Sequence, residues 1–328
     1  MKFFMLGYTP YLPEIINALR GSQFLCDNQI DISVPPVKLK RPKKLFSVAK
    51  KRLTTAEFEQ FIIDFDRYYE QEQRQKIIQQ AFRTPSLSFL SEYANVRLKA
   101  YRGLEYEPLT EYDYMIVASF GEKIPRKTFS MPKYGTLNVH PSFLPNLRGG
   151  YPTYIQAFDP TQQRGTTIHQ MSERFDEGEI VIQKRYDTAP TLTNSQLLSV
   201  SAESAAELLN TLHQRGFSFT PMKQKQALAT ECRTSLKRED DVRQMKTAAE
   251  IEGFVRANHD RYLFPYTYTF LAGELFMILH MQSVAAQKIP INEWPNRQIQ
   301  ENEGQYYIKF GRQVYLICKY IFRGQLHQ

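Results

Sequence analysis

The sequence predicts an α/β protein: a parallel-sheet domain followed by a smaller β-rich domain. Three observations lead there. The chain opens strand, turn, helix, with the apolar run Phe3-Phe4-Met5-Leu6, then Gly7 and Pro10, then Leu12, Ile15, Ile16 and Leu19 at helical spacing. From residue 112 the stretches 112–120, 135–140, 165–171 and 179–187 read as strands alternating with helical or turn segments, as in an α/β fold. Beyond about Phe217 the pattern changes, and 263–282 and 305–322 alternate aromatic and polar residues as antiparallel strands do.

Each element has a local reason. The strand at 135–140 (GTLNVH) is stopped by Pro141. A short helix is expected over 151–158. Strands 165–171 and 179–187 flank a tight Asp176-Glu177-Gly178 turn. Thr193 or Asn194 caps a helix that runs to about Gln214 and closes at Gly216. Residues 54–83 form a long polar helical segment with Phe58, Phe61, Ile62, Phe65 and Tyr69 on one face, capped by Thr54 or Thr55 with Glu57 or Glu59 nearby. A further helix is expected over 248–258. The expected organisation is a first domain over 1–216 carrying an insertion at about 37–83, a linker over 217–234, and a second domain over 235–328.

At 328 residues the chain is long enough for two domains of roughly 100–200 residues each, both able to bury a core. No apolar run approaches the ~18–20 residues of a membrane span, so no membrane partner is expected. The opening Met1–Leu6 lacks a cleavage site and reads as a buried strand, not a leader. Three widely spaced cysteines exclude a disulfide scaffold and a CxxC metal site, and point to a reducing, cytoplasmic setting without a metal. The unusual figure is the charge, +8 from 42 Lys+Arg against 34 Asp+Glu, much of it in 37–52 (VKLKRPKKLFSVAKKR). That stretch is open to three readings: a nucleic-acid contact, a solvated basic surface, or a clamp for phosphates.

The residues that carry chemistry lie in 135–178. Asn138 and His140 sit two apart on a strand and leave on the same face, at the strand end where open α/β sheets bind ligands. A carboxamide can donate to a carbonyl oxygen gaining negative charge, and an imidazole can bind that oxygen or move a proton. Asp176 on its turn can orient His140, favour its charged form, or hold a water. Either feature alone is also ordinary strand-end or turn bonding. His169, in mid-strand, reads as a satisfied structural histidine.

The extended string is more specific. Residues 138–152 (NVHPSFLPNLRGGYP) resemble the N-x-H-x-S-L-L-P-x-x-R-G-x-x-P signature of the 10-formyltetrahydrofolate-dependent formyltransferases. Residues 117–121 (VASFG) with Ile124-Pro125, 131–135 (MPKYG), 165–169 (GTTIH) and 175–180 (FDEGEI) are similar to that family's flanking elements, in the same order. The resemblance spans about 112–188. A second, to the C-terminal domain of two-domain members, covers about 235–285 through 237–240, 249–251, 255–257 and 268–273.

The resemblance implies a Rossmann-like first domain, an OB-like barrel as the second, and a formyl donor, 10-formyltetrahydrofolate, with a primary-amine acceptor and no metal. It implies Asn138, His140 and Asp176 as the catalytic trio. It implies Ser119, Phe120, Gly121, Ile124, Phe175 and Gly178 around the donor, and Ser142, Arg148 and Gly149 in the loop on the acceptor side, with Arg148 also open to a structural ion-pair role. Three departures from the methionyl-tRNA members, at 7–11, 242–244 and 263–266, turn the expected acceptor toward a small amine such as that of a nucleotide-linked amino sugar. The tRNA acceptor, reached through 37–52, is the alternative. Beside these stand a non-catalytic RNA- or folate-binding relative and a hydrolase releasing formate from the same donor.

Overall fold

The first strand, β1 (Lys2–Gly7), is apolar from Phe3 to Leu6 because it is covered there on both faces. Phe3 and Met5 point into one core layer and Phe4 and Leu6 into the other. The structure, a computed structural model, describes residues 1–8, 10–35, 50, 54–69, 86–232, 247–258, 268–271, 274–284, 294–310, 312–322 and 325–327. Helices α1 (Tyr11–Ala18) and α2 (Gln23–Asp27) follow, α1 burying Leu12, Ile15 and Ile16. Strands β2 (Gln29–Ser33), β3 (Val96–Lys99), β4 (Tyr114–Ala118) and β5 (Thr136–His140) join β1 in parallel. Between them lie helix α3 (Thr55–Tyr69) and the single turn α4 (Arg126–Phe129).

After helix α5 (Pro152–Phe158), strands β6 (Gly165–Gln170) and β7 (Ile180–Arg185) complete a seven-stranded sheet in the order β3-β2-β1-β4-β5-β6-β7. Strand β6 runs antiparallel to both β5 and β7, so the sheet is mixed and only mostly parallel. The short β6–β7 connection makes that pair a hairpin, whereas β5 and β6 are antiparallel although helix α5 lies between them. Helix α6 (Asn194–Gln214) opens on a capping box, Thr193 accepting from the Gln196 backbone and the Gln196 side chain accepting in return, and closes at Gly216 with φ of +60°. It packs against α1 and β6, and the Tyr11 hydroxyl meets Ser201 Oγ at 2.8 Å.

The chain divides into two units. The first is Met1–Lys38, Arg83–Gln156 and Thr161–Arg233; the second is Leu39–Phe82, Ala157–Pro160 and Thr234–Gln328. The second unit holds α7 (Ala248–Asn258) and strands β8 (Tyr268–Leu271), β9 (Glu274–Val284), β10 (Ile299–Asn302), β11 (Gln305–Phe310), β12 (Gln313–Phe322) and β13 (Gln325–His327). They form a six-stranded antiparallel sheet, β10-β11-β12-β9-β8 with β13 beside β12. Ile251 and Phe254 of α7 close its core over Phe276, Ile278, Ile308 and Ile317. Helix α3 packs against β9 in this unit, its Thr54–Glu57 cap formed reciprocally at 2.9 and 3.3 Å. The basic stretch 37–52, Lys50 apart, lies outside the described residues, as do 70–83 of the helical segment and the elements at 237–240, 242–244 and 263–266.

Candidate active site

Register places the first two residues. Val117 of β4 pairs with Asn138 of β5, and Asn138 pairs with His169 of β6. Leu137 and Val139 turn into the core, so Asn138 and His140 share the opposite face at the carboxyl end of β5. The turn before β7 brings Asp176 over them. Asp176 adopts φ of +55°, a left-handed conformation that an Asp in a turn tolerates.

The three side chains meet. Asn138 Nδ2 donates to Asp176 Oδ1 at 3.1 Å and lies 3.1 Å from His169 Nε2. His140 Nδ1 is 3.6 Å from Asp176 Oδ2, and its Nε2 donates to the Leu147 carbonyl at 2.8 Å. The Gly149 amide donates to Asp176 Oδ2 at 2.8 Å. These bonds fix the protons. The carboxylate demands the amide NH2 of Asn138 on its side, so His169 Nε2 accepts and its Nδ1 donates to the Gln170 carbonyl at 2.9 Å.

Burial holds the His140 pKa below its ordinary 6.5, helped by the neighbouring His169 and opposed by Asp176. At neutral pH its imidazole is therefore uncharged, with Nε2–H on Leu147 and the Nδ1 lone pair toward Asp176. For Asp176, burial works to raise the pKa, but the attraction of His140 and His169 in their charged forms, with the Gly149 amide, outweighs it and holds the carboxyl well below the usual range. A neutral imidazole beside a persistent carboxylate can accept a proton and be stabilised once charged.

The other expected residues divide. Ser142 is fully buried and donates to the Asn146 carbonyl at 2.6 Å, closing the loop after β5. Arg148 is buried too, and its guanidinium is engaged within the unit: Nε and Nη2 donate to Gln224 Oε1 at 3.0 and 2.7 Å, and Nη1 donates to Gln226 at 2.9 Å. Gly149, with φ of +93°, supplies its backbone to Asp176. Ser119 ends β4 in the left-handed region at φ of +56°, a strained position for a serine. Phe120 stacks on Tyr8 at 5.1 Å, and the Gly121 Cα lies alongside. A cavity of about 320 Å³ is lined by Lys123, Ile124, Pro125, Arg126 and Glu173, so the segment after β4 and the turn before β7 border the same space. Phe175 is 63% exposed on that turn. Gly178 has a packing reason: a Cβ there would stand 1.6 Å from the Gln170 carbonyl.

Two residues of the cluster are not among the expected site residues. His169 is satisfied, as expected, but its partner is Asn138; the signal was its place opposite the Asn-x-His strand. Gln224, in the segment expected as a linker, is bonded to both halves of the site. Nothing in its polar surroundings marks it. Among the described residues no group of three or more His, Cys, Asp and Glu is arranged to hold a metal ion, and no helix is long and apolar enough to cross a membrane.

An open α/β sheet with a polar cluster at the carboxyl ends of its central strands has the architecture of an α/β ligand-binding enzyme. Within that class the chain belongs to the formyl transferase family, whose model matches residues 44–212. It is similar to the methionyl-tRNA formyltransferase of Bacillus cereus (strain B4264), 30% identical over 194 residues, a match that covers 58% of this chain and 59% of that protein. The chain thus spans about three fifths of the length of the curated relatives it matches. Its fold is similar to that of an N-formyltransferase from Helicobacter canadensis, solved in complex with folinic acid and dTDP-3-aminofucose, with a TM-score of 0.55, 13% identity, and 97% and 98% of the two chains covered. HypX from Aquifex aeolicus, solved with tetrahydrofolic acid, is matched with a TM-score of 0.58 at 13% identity, over 98% of this chain and 44% of that one.

Proposed function

We propose that this protein transfers a formyl group from 10-formyltetrahydrofolate to a primary amine, and that the acceptor is a small amine such as that of a nucleotide-linked amino sugar. The observation that carries the reading is the convergence of Asn138, His140 and Asp176 at one strand end. The donor supplies the formyl carbon; a C–N bond to the acceptor forms, the C–N bond to the folate breaks, and one proton passes from the acceptor nitrogen to the folate nitrogen.

The chain's residues serve that exchange as follows. Asn138 carries the amide N–H groups of the cluster, bonded in this structure to Asp176 and His169. A formyl oxygen drawing one of them offsets its growing charge, a contribution worth about 10²–10³ in rate. His140, uncharged and held by Leu147, offers Nδ1 to the acceptor's proton directly or through water. Asp176 stabilises the imidazolium that results. We assign the folate ring system to the cavity bordered by Ile124 and Glu173, which Ser119, Phe120 and Gly121 adjoin in sequence.

The preference for a small amine rests on the departures at 7–11, 242–244 and 263–266 from the tRNA-formylating pattern. A second reading, formylation of methionyl-tRNA, is favoured by the 30% identity to the Bacillus cereus protein. The deciding experiment offers the purified protein 10-formyltetrahydrofolate with nucleotide-linked amino sugars, or with methionyl initiator tRNA, and follows tetrahydrofolate release. Turnover with an amino sugar is expected. Rapid formylation of the tRNA alone would replace the acceptor, and formate release with no acceptor would make the protein a hydrolase.

A further inference from the structure

We infer that Gln224 is a positioning residue for the active site: it ties the Asp176 turn to the Arg148–Gly149 loop and so holds the Asp176 carboxylate over Asn138 and His140. The inference deepens the formyl-transfer reading and rests on it for its kinetic consequence only.

The segment 222–232 lies along both halves of the site. Met222 pairs with Ile180 by two backbone bonds of 2.8 Å, just past the Asp176 turn. Further on, the Arg148 amide donates to Thr230 at 2.8 Å and the Cys232 amide donates to Arg148 at 2.6 Å. Gln224 stands between these anchors, 8% exposed. Its Nε2 donates to the Asp176 carbonyl and to the Gly178 carbonyl, both at 2.7 Å. Its Oε1 accepts from Nε and Nη2 of Arg148. A primary amide has two N–H groups and one oxygen with two lone pairs, and all four are used. Only one orientation serves, because the amide flipped would set its oxygen against two carbonyls and its NH2 against a guanidinium.

The consequence follows from connectivity. Asp176 accepts hydrogen bonds from three groups, Asn138 and the Gly149 amide at its carboxylate and Gln224 at its backbone. Gly149 is the next residue after Arg148, so Gln224 grips both ends of the Gly149–Asp176 bond.

Gln224→Glu tests this. The carboxylate keeps the bond to Arg148, now charge-assisted, but has no N–H for the Asp176 and Gly178 carbonyls. The first readout, hydrogen exchange of the Gly149 amide, requires no turnover. Protection of Gly149 is expected to fall about 10-fold or more relative to the Ile116 amide of β4. The second readout is kinetic. A fall in kcat on the order of 10²-fold is expected, with KM for the acceptor within about threefold, since misplacement of about 1 Å costs that much. In an Asp176→Asn background the same substitution is expected to change kcat by less than about threefold, because the two residues act as one unit. Unchanged Gly149 protection, or a kcat loss that persists undiminished in Asp176→Asn, overturns the inference. If Gln224→Glu does not fold, Gln224→Asn, one methylene too short to span, is measured in the same way. A parent protein that moves no formyl group defeats the functional reading, while the exchange result still decides the role of Gln224.

Discussion

The amide of Gly149 and the carboxylate of Asp176, 27 positions apart in the chain, are joined at 2.8 Å across the mouth of the site. The bond links the loop after β5 to the turn before β7, and it adds to the larger effects of His140 and His169 in keeping a negative charge where burial opposes one. Much of the expected behaviour of this protein follows from that juncture and its neighbours.

Replacing Asp176 by Asn leaves one acceptor where the Gly149 amide and the Asn138 amide both donate, and removes the charge that would stabilise a protonated His140. We expect kcat/KM for formyl transfer to fall by about 10²–10⁴. Tetrahydrofolate release under single-turnover conditions measures it; activity within threefold of the parent would remove Asp176 from the chemistry.

His140 makes stability depend on pH. Burial depresses its folded pKa below the ordinary 6.5, so its contribution is complete above pH 6.5 and is lost as pH falls toward the folded value. Between pH 7.5 and 5.5 the unfolding free energy of the parent is expected to drop by up to about 1.4 kcal/mol per unit more steeply than that of His140→Gln. Urea unfolding at several pH values gives both slopes, and equal slopes would contradict the assignment. Asp176, whose pKa is depressed from 3.8, acts only at pH values below this window.

Gly178→Ala meets a wall. Its Cβ would fall 1.6 Å from the Gln170 carbonyl, in the backbone of β6. A loss of at least about 2 kcal/mol is expected, with a fall in Tm of about 5–10 °C. Gly216→Ala is the comparison: that site has open space but φ of +60°, so the cost there is about 1 kcal/mol. Equal melting temperatures for the two variants would refute the packing argument.

Arg148→Met separates a structural arginine from a substrate-binding one. The guanidinium is engaged by Gln224 and Gln226, so its removal strands the buried Gln224 oxygen and is expected to cost about 2–3 kcal/mol. KM for the acceptor in the folded variant should stay within about threefold. A tens-fold rise in KM with unchanged stability would return Arg148 to the substrate.

The parts of the fold that could be read from sequence are those whose local pattern and tertiary use agree. The strand at 114–118 is apolar because two layers cover it, that at 136–140 is bounded by Gly135 and Pro141, that at 165–170 opens on Gly165, and α6 announces itself through Thr193, Gln196 and Gly216. By contrast β2 and β3 were not legible. Their sequences, QIDIS and VRLK, are short and polar, because Asp31 is buried against Arg97 at 2.8 Å and Tyr112 at 2.6 Å. The site divides the same way. Asn138, His140 and Asp176 stand in a contiguous motif, whereas Gln224 acts through a pairing set by Met222 and Ile180, a long-range fact that a polar run does not encode.

The packing of α3 on β9 carries a consequence for how the protein is made. The helix at Thr55–Tyr69 belongs to a unit whose strands begin at Tyr268, so its partner is synthesised about 200 residues later. Loop closure over such a span is slow relative to local folding. The nascent chain therefore carries an amphipathic helix without its sheet while the first unit is still being translated. A fragment starting at Thr234 would lack one wall of its own unit, and a fragment ending at Arg233 would expose the helix face that β9 covers. Division of this protein for expression is expected to succeed only where helix α3 travels with the C-terminal strands.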